Sequence, residues 1–155
     1  VFGACGGAVA YRRAMLDEIG LFDEDFFMYC EDVDLAWRAQ LAGWRCIYAP
    51  RARVYHRLSA SGGGVISSYY TGRNTLYVLA KDVPPTLKRK YWRRMLAAQW
   101  RIAVDALRAW RGEAARARLR GQLAGIRDWR RMRRKYADVQ RLRRVSDNYL
   151  ESILS

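Results

Sequence analysis

Proline is scarce in this chain, with three residues in 155, which excludes a proline-rich linker or a collagen-like repeat. Long apolar runs are missing as well. The longest uncharged stretch, residues 58–72, is dominated by Ser and Gly and falls short of the roughly 20 apolar residues a bilayer-spanning helix needs. No transmembrane helix is expected. Cysteine is low and odd in number, at Cys5, Cys30 and Cys46, and none lies at metal-ligand spacing from another Cys or His. A disulfide framework and a structural zinc site are therefore excluded, and a reducing compartment fits. Residues 1–10 carry no basic stretch and do not read as a signal peptide. A first residue that is Val rather than Met leads to the expectation of further sequence upstream.

The composition itself, 51% hydrophobic and 28% charged, supplies enough apolar material for one core and argues against disorder. Net charge is +14, and it is unevenly placed. Residues 1–86 carry 9 Lys+Arg against 9 Asp+Glu, residues 87–145 carry 20 against 4, and residues 146–155 carry only 2 acids. The chain thus divides into a balanced part and a basic part, with a boundary expected near residue 80.

In the first part, residues 6–11 read as a short strand and residues 13–19 as a short helix closed by Gly20. Residues 21–29 mix aromatics with acids and read as a structured turn. Residues 31–42 suit a helix with Glu31, Asp32 and Asp34 in its first turn and Gly43 at its end. Residues 44–49 and 52–55 are β-prone runs split by Pro50, and residues 59–64 read as a loop. From Val65 onward helical spacing takes over. One helix ends before Pro84 and Pro85. A second spans 88–110, with Trp92, Met95, Leu96, Ile102, Ala103, Ala106, Leu107 and Trp110 on one side. A third spans 113–135, with a stripe of Leu119, Leu123, Ile126, Trp129 and Met132.

Glu31, Asp32 and Asp34 are the densest candidate for chemistry, because adjacent carboxylates can hold a hard cation or serve as a base. Acids are also favoured in any first helical turn, so the cluster alone decides nothing. It is a poor EF-hand, lacking the central Gly and the terminal Glu. Asp34 and Arg38 are four residues apart, a spacing that suits an ion pair within the helix.

Six runs in order are more informative: G-G-A-V-A-Y-R-R (6–13), I-G-L-F-D-E-D-F-F-M-Y (19–29), E-D-V-D-L-A-W-R (31–38), G-W-R-C-I-Y-A-P (43–50), A-R-V-Y-H (52–56) and R-N (73–74). Together they resemble the C-terminal, acceptor-side half of family 2 glycosyltransferases, of the rhamnosyltransferase type that builds bacterial surface polysaccharides. The resemblance implies an α/β fold: a partial GT-A-type domain over residues 1–80, followed by an amphipathic helical extension over 81–155. It implies that Asp32 is the general base of an inverting transfer, with Glu31 beside it shaping the acceptor site. It places Gly6, Gly7 and Tyr29 near the acceptor and makes His56 a ligand of a divalent cation, Mg2+ or Mn2+. The implied donor is a nucleotide-sugar, with dTDP-rhamnose a candidate, and the implied acceptor is a lipid-linked or polysaccharide glycan. The family's nucleotide-binding half and its D-x-D motif are not found upstream of Gly3, and D-V-D at Asp32 to Asp34 is no substitute, because it lies inside the acceptor-side helix motif. The chain therefore reads as a fragment of an enzyme, expected to be inactive alone.

The basic part combines Arg and Lys with Trp92, Trp100, Trp110 and Trp129, the composition of helices that lie in a membrane interface. Lys88, Arg89, Lys90 and Trp92, with Arg130, Arg131, Arg133 and Arg134, are the expected contacts with an anionic membrane surface. That places the protein in the cytoplasm, peripheral on the inner face of the plasma membrane. Nucleic acid is disfavoured, since no helix-turn-helix, zinc-finger or zipper frame surrounds the basic runs. The rival reading is a non-catalytic basic helical module that binds anionic membrane or nucleic acid.

Overall fold

The computed structural model describes residues 1–55 and 64–154. Its elements in chain order are α1 (Arg13–Ile19), a 3-10 turn (Glu24–Phe26), α2 (Glu31–Leu41), α3 (Val65–Lys81), α4 (Pro85–Arg108), α5 (Glu113–Arg127), α6 (Trp129–Arg134), α7 (Tyr136–Arg141) and α8 (Asp147–Leu154). The described residues contain no strand. The expected α/β, GT-A-type architecture is corrected to an all-helical one. Residues 6–11, 44–49 and 52–55 do not pair into a ladder, and a β-prone run without a partner strand leaves its backbone groups unsatisfied by any sheet. Tyr11 and Trp44 at the ends of two of these runs pack on the smaller of two core clusters, while Ile47 and Tyr55 are 85% and 98% exposed.

The local signals in the first part hold. Gly20 and Gly43 follow α1 and α2 with φ of 83° and 88°, conformations that glycine adopts without a steric penalty. Asp23 caps the 3-10 turn by accepting from the Asp25 amide at 3.1 Å. Pro85 occupies the first turn of α4, where a missing N–H matters least. The helix expected over 113–135 is instead broken at Asp128, whose φ of −87° and ψ of 0° leave the helical region. Its carboxylate is drawn to α3 by the Tyr77 hydroxyl at 2.7 Å.

The larger core joins residues from both sides of position 80. Phe26, Trp37 and Leu41 pack with Tyr77, Val83, Leu87, Met132, Val139 and Leu150. A smaller cluster of Met15, Ile19, Leu35 and Ala42 holds α1 on α2. The tightest packing is between α3 and α5, where the backbones touch through glycine. A Cβ on Gly121 would lie 2.1 Å from the Tyr69 carbonyl oxygen, and one on Gly125 would lie 2.9 Å from that of Arg73.

This packing turns α5 opposite to its apolar stripe. Its buried residues are Ala117, Gly121, Gln122, Ala124 and Gly125, while Leu123 and Ile126 are 66% and 63% exposed. On α4 only Leu87 and Ala106 are buried. No helix among the described residues is long and apolar enough to cross a membrane.

Candidate active site

The first turn of α2 carries Glu31 and Asp32, and the opening segment of the chain lies along the same helix. Phe2 packs edge-on against Trp37 with ring centroids 4.9 Å apart, and its carbonyl accepts from the Gln40 amide at 2.7 Å. Gly3 sits so close that a Cβ there would lie 2.4 Å from that of Ala36. Residues 5–8 then turn, closed by the Ala8 amide donating to the Cys5 carbonyl at 3.2 Å. The Gly6 N–H meets Asp32 Oδ2 at 3.0 Å. Oδ1 of the same carboxylate accepts from the Val33 amide at 2.8 Å. Asp32 is thereby held at both oxygens while remaining half-exposed.

Glu31 stands at the same turn, since the Cβ position of Gly6 is 3.7 Å from both Glu31 Oε1 and Asp32 Oδ2. Its Oε2 is buried without a hydrogen-bond partner. Burial, followed by the Asp32 charge, raises the Glu31 pKa. The Tyr11 hydroxyl is pushed up by burial and then by the charge of Asp32. Cys30, just before α2, is pushed up to about 11 by burial and by Asp32.

Three consecutive-region residues ahead of this turn are left-handed without being glycine: Phe27, Tyr29 and Cys30, with φ of 61°, 62° and 64°. Each such residue costs on the order of 1 kcal/mol or more, so the surroundings must fix the segment. Arg73 and Asn74 do so. Asn74 is fully buried, and its Nδ2 faces the carbonyls of Phe26, Met28 and Tyr29 at 2.9, 2.8 and 2.6 Å. Arg73 Nη2 donates to the carbonyls of Asp25 and Phe26, both at 2.9 Å. The clasp from α3 sets the path by which the chain enters α2.

Of the residues expected from sequence, Gly6, Glu31 and Asp32 come together. Gly7 is exposed in the adjoining turn, and Tyr29 belongs to the clasped segment. His56 lies outside the described residues. Asp34 and Arg38 form the expected ion pair, with two contacts of 3.0 and 2.7 Å, fully buried. Arg38 also donates to the carbonyls of Ile19, Gly20 and Leu21, tying α1 to α2. The clasp role of Arg73 and Asn74 and the proximity of Tyr11 escaped the sequence reading. The R-N pair was visible as a motif, but a buried Asn facing three carbonyls is legible only in three dimensions.

The described residues do not make a cation site. No group of three or more His, Cys, Asp or Glu among them could hold a metal ion, and Glu31 with Asp32 supplies only two carboxylates.

The basic residues expected at a membrane surface are differently engaged. Lys88 is half-buried, donates to the Ala80 carbonyl at 3.1 Å and covers the Tyr136 ring. Lys90 pairs with Glu151, and Arg131 donates to the Tyr77 hydroxyl. Arg89, Trp92, Arg130, Arg133 and Arg134 are exposed.

The acidic pair at the start of α2 is fixed by a glycine turn and a clasped aromatic segment, and the chain that carries it belongs to glycosyl transferase family group 2, whose model matches residues 1–143. Two curated relatives carry the name rhamnosyltransferase. The N-acetylglucosaminyl-diphospho-decaprenol L-rhamnosyltransferase of Mycobacterium tuberculosis is 37% identical over 78 residues, covering 50% of this chain and 25% of that protein. The Escherichia coli rhamnosyltransferase WbbL is 51% identical over 53 residues, covering 34% of this chain and 20% of that protein. The chain thus spans about a quarter or less of the length of these relatives. No solved structure matches.

Proposed function

We propose that this chain carries the acceptor-activating part of a rhamnosyltransferase-type enzyme of glycan biosynthesis. The observation that carries the proposal is the Asp32 carboxylate, aimed by the Gly6 amide and the α2 backbone beside the half-buried Glu31, in a chain of this family. Asp32 removes the proton from an acceptor hydroxyl as that oxygen bonds to the anomeric carbon. The bond from that carbon to the nucleoside diphosphate breaks on the opposite face, so the configuration inverts. General-base assistance of this kind contributes about 10²–10⁴-fold.

The donor is a nucleotide-sugar, with dTDP-rhamnose the candidate; the relatives' names support rhamnose as the sugar. The acceptor is a lipid-linked diphospho-glycan, by analogy with the substrate named in the mycobacterial relative. Such an acceptor places the reaction at a membrane, and the basic helices suit a peripheral position on the inner face of the plasma membrane. A divalent cation, Mg2+ or Mn2+, with His56 as a ligand, is proposed on the resemblance alone, and no step above runs through it.

Asp32→Asn is the test. The Asn carbonyl still accepts from the Gly6 amide, so the turn survives while the base is lost. In the natural protein that carries this chain, rhamnosyl transfer should fall by at least about 100-fold with donor binding and circular dichroism unchanged. Retention of a tenth of the wild-type rate would remove Asp32 from the base role.

A further inference from the structure

The packing of α5 on α3 by its small residues leaves a large apolar surface facing outward. Trp92, Leu96, Trp100 and Leu107 follow one another along one side of α4, with Trp110 in the turn just past its end, and their exposures are 56, 62, 70, 56 and 54%. Across from them stand Leu119, Leu123 and Ile126 of α5, and Leu76 lies in the groove between, which has a volume of about 600 Å³. At 1.5 Å per residue the α4 stripe from Trp92 to Leu107 is about 22 Å long. A soluble chain rarely leaves so long an apolar stripe uncovered, and such a surface marks an interaction site.

Charge selects the occupant. Helices α4 and α5 hold eleven Lys and Arg against two acids. Arg116 and Arg120 line the groove itself, and Arg93 lines the adjoining hollow with Trp92, Leu96, Ala97 and Trp100. Arg116 is anchored, donating to the Trp110 and Arg111 carbonyls and so fixing the end of α4 against α5. Arg93 and Arg120 are exposed beside the apolar stripe. Nucleic acid would be served by the cations without large exposed Leu and Ile, and a neutral apolar partner would be served by the stripe without the cations. An anionic leaflet uses both, aromatic rings and aliphatic side chains entering to headgroup depth while arginines meet lipid phosphates.

We infer that the α4–α5 groove is the surface by which this protein enters the interfacial layer of an anionic membrane. The inference rests on the peripheral-membrane part of the proposed function, and it moves the contact from the K-R-K and R-R-M-R-R-K runs to the Trp100 and Leu123 face.

The experiment is co-sedimentation of the natural protein with vesicles of phosphatidylcholine alone and with phosphatidylglycerol added, across a salt series. Wild type is compared with Trp100→Ser, Leu123→Ser and an Arg89→Gln/Arg130→Gln variant. All four positions are exposed, so folding is retained and is checked by circular dichroism. The expected result is binding that needs phosphatidylglycerol, a drop of at least tenfold for Trp100→Ser and for Leu123→Ser, and quenching of wild-type tryptophan fluorescence by brominated lipid. Anionic-vesicle binding that survives both groove variants but falls with Arg89→Gln/Arg130→Gln keeps the membrane reading and overturns the groove. Absence of binding to any vesicle overturns both. Equal binding to neutral vesicles overturns the anionic leaflet, and a change of oligomeric state or of duplex-DNA binding with Trp100→Ser in place of a vesicle effect reassigns the face to a second copy or to nucleic acid and overturns the inference.

Discussion

Asn74→Asp is the sharpest probe of how α3 controls the entry to α2, because it changes hydrogen-bond chemistry and leaves side-chain volume almost unchanged. Asn74 Nδ2 has two hydrogens for three carbonyls at 2.6–2.9 Å. The Phe26 carbonyl keeps other donors, Arg73 Nη2 at 2.9 Å and the Met28 amide at 2.7 Å. The carbonyls of Met28 and Tyr29 lose the Asn74 donor. Two half-buried carbonyls deprived of it cost up to about 2–6 kcal/mol, less what solvent restores. The new carboxylate also gains an ion pair with Arg73, whose Nε already sits 2.9 Å from Asn74 Oδ1, and relaxation of the left-handed residues returns part of the strain. The expected net loss is therefore about 3 kcal/mol at neutral pH.

The sign with pH follows from the same contacts. A carboxylate oxygen facing carbonyl oxygens favours its protonated form in the folded state, so its folded pKa is raised. The destabilisation is then smallest below the unfolded value of about 3.9 and grows as pH rises through the folded value. Asn74→Ala removes the same donors without adding a charge and should lack this dependence. Urea unfolding of the three proteins at pH 4.5 and 7.5 gives the comparison, and amide exchange at Gly6 reports whether the turn on Asp32 has loosened. A loss below about 1 kcal/mol at neutral pH, or equal losses for Asp at both pH values, would refute the clasp.

Two further outcomes follow from the packing and from the site. Gly121→Val should destabilise by about 3 kcal/mol or more, because the atom met at 2.1 Å is a backbone oxygen that cannot swing aside. Gly112→Ala, at an exposed helix start, should change stability by less than about 1 kcal/mol, and equal chemical-denaturation midpoints for the two variants would show that α3 and α5 do not touch. Cys30, with its thiol pushed up to about 11, is about 0.1% thiolate at pH 8. Iodoacetamide should modify the exposed Cys5 well before Cys30, and the Cys30 rate should rise about tenfold per pH unit between 8 and 10. Equal labelling at pH 8, read by peptide mass spectrometry, would contradict the buried, acid-flanked placement of Cys30.

The helices of the first part were legible because their ends are written locally: Gly20 and Gly43 stop α1 and α2, and the acids of 31–34 start α2. The strands were not, because β propensity measures fit to a half-buried pleated surface, and residues 44–55 find no partner strand among the described residues. The direction in which α5 faces is not written in its apolar stripe. An amphipathic stripe ordinarily faces the core, but Gly121 and Gly125 permit a backbone approach that Leu123 and Ile126 would block. The four-residue glycine spacing was the available signal. At the site, the Asp32 turn followed from the resemblance, whereas the clasp needed Asn74 to be seen buried among carbonyls that precede it by 45 to 48 residues.

The basic block shows why charge counting alone misassigns residues. The acidic turn at 23–25 is held by cations far away in sequence. Lys81 bridges Asp23 at 2.7 Å and Asp34. Lys135 reaches Asp23 and Asp25 at 2.7 and 2.8 Å, and Arg131 lies 3.5 Å from Asp25. Burial alone would raise the Asp23 pKa, yet the hydrogen bonds from Lys135 and Lys81 hold it at about 2. Because the folded value is depressed, this contribution to stability is present above the ordinary value of 3.8 and is lost as pH falls through about 2. Lys135 and Arg131 therefore help to fold the turn that precedes the α2 carboxylates, although they belong to the same basic run as Arg130, Arg133 and Arg134. The surplus of positive charge consists of two populations with different tasks. One neutralises buried acids and joins the helices after residue 80 to the Asp32 site, and the other, typified by Arg93 and Arg120, stands exposed along an apolar face. The first is already engaged within the fold, and the second combines exposed cations with apolar surface, so the strength of the inferred membrane contact should follow that face rather than the net charge of the chain.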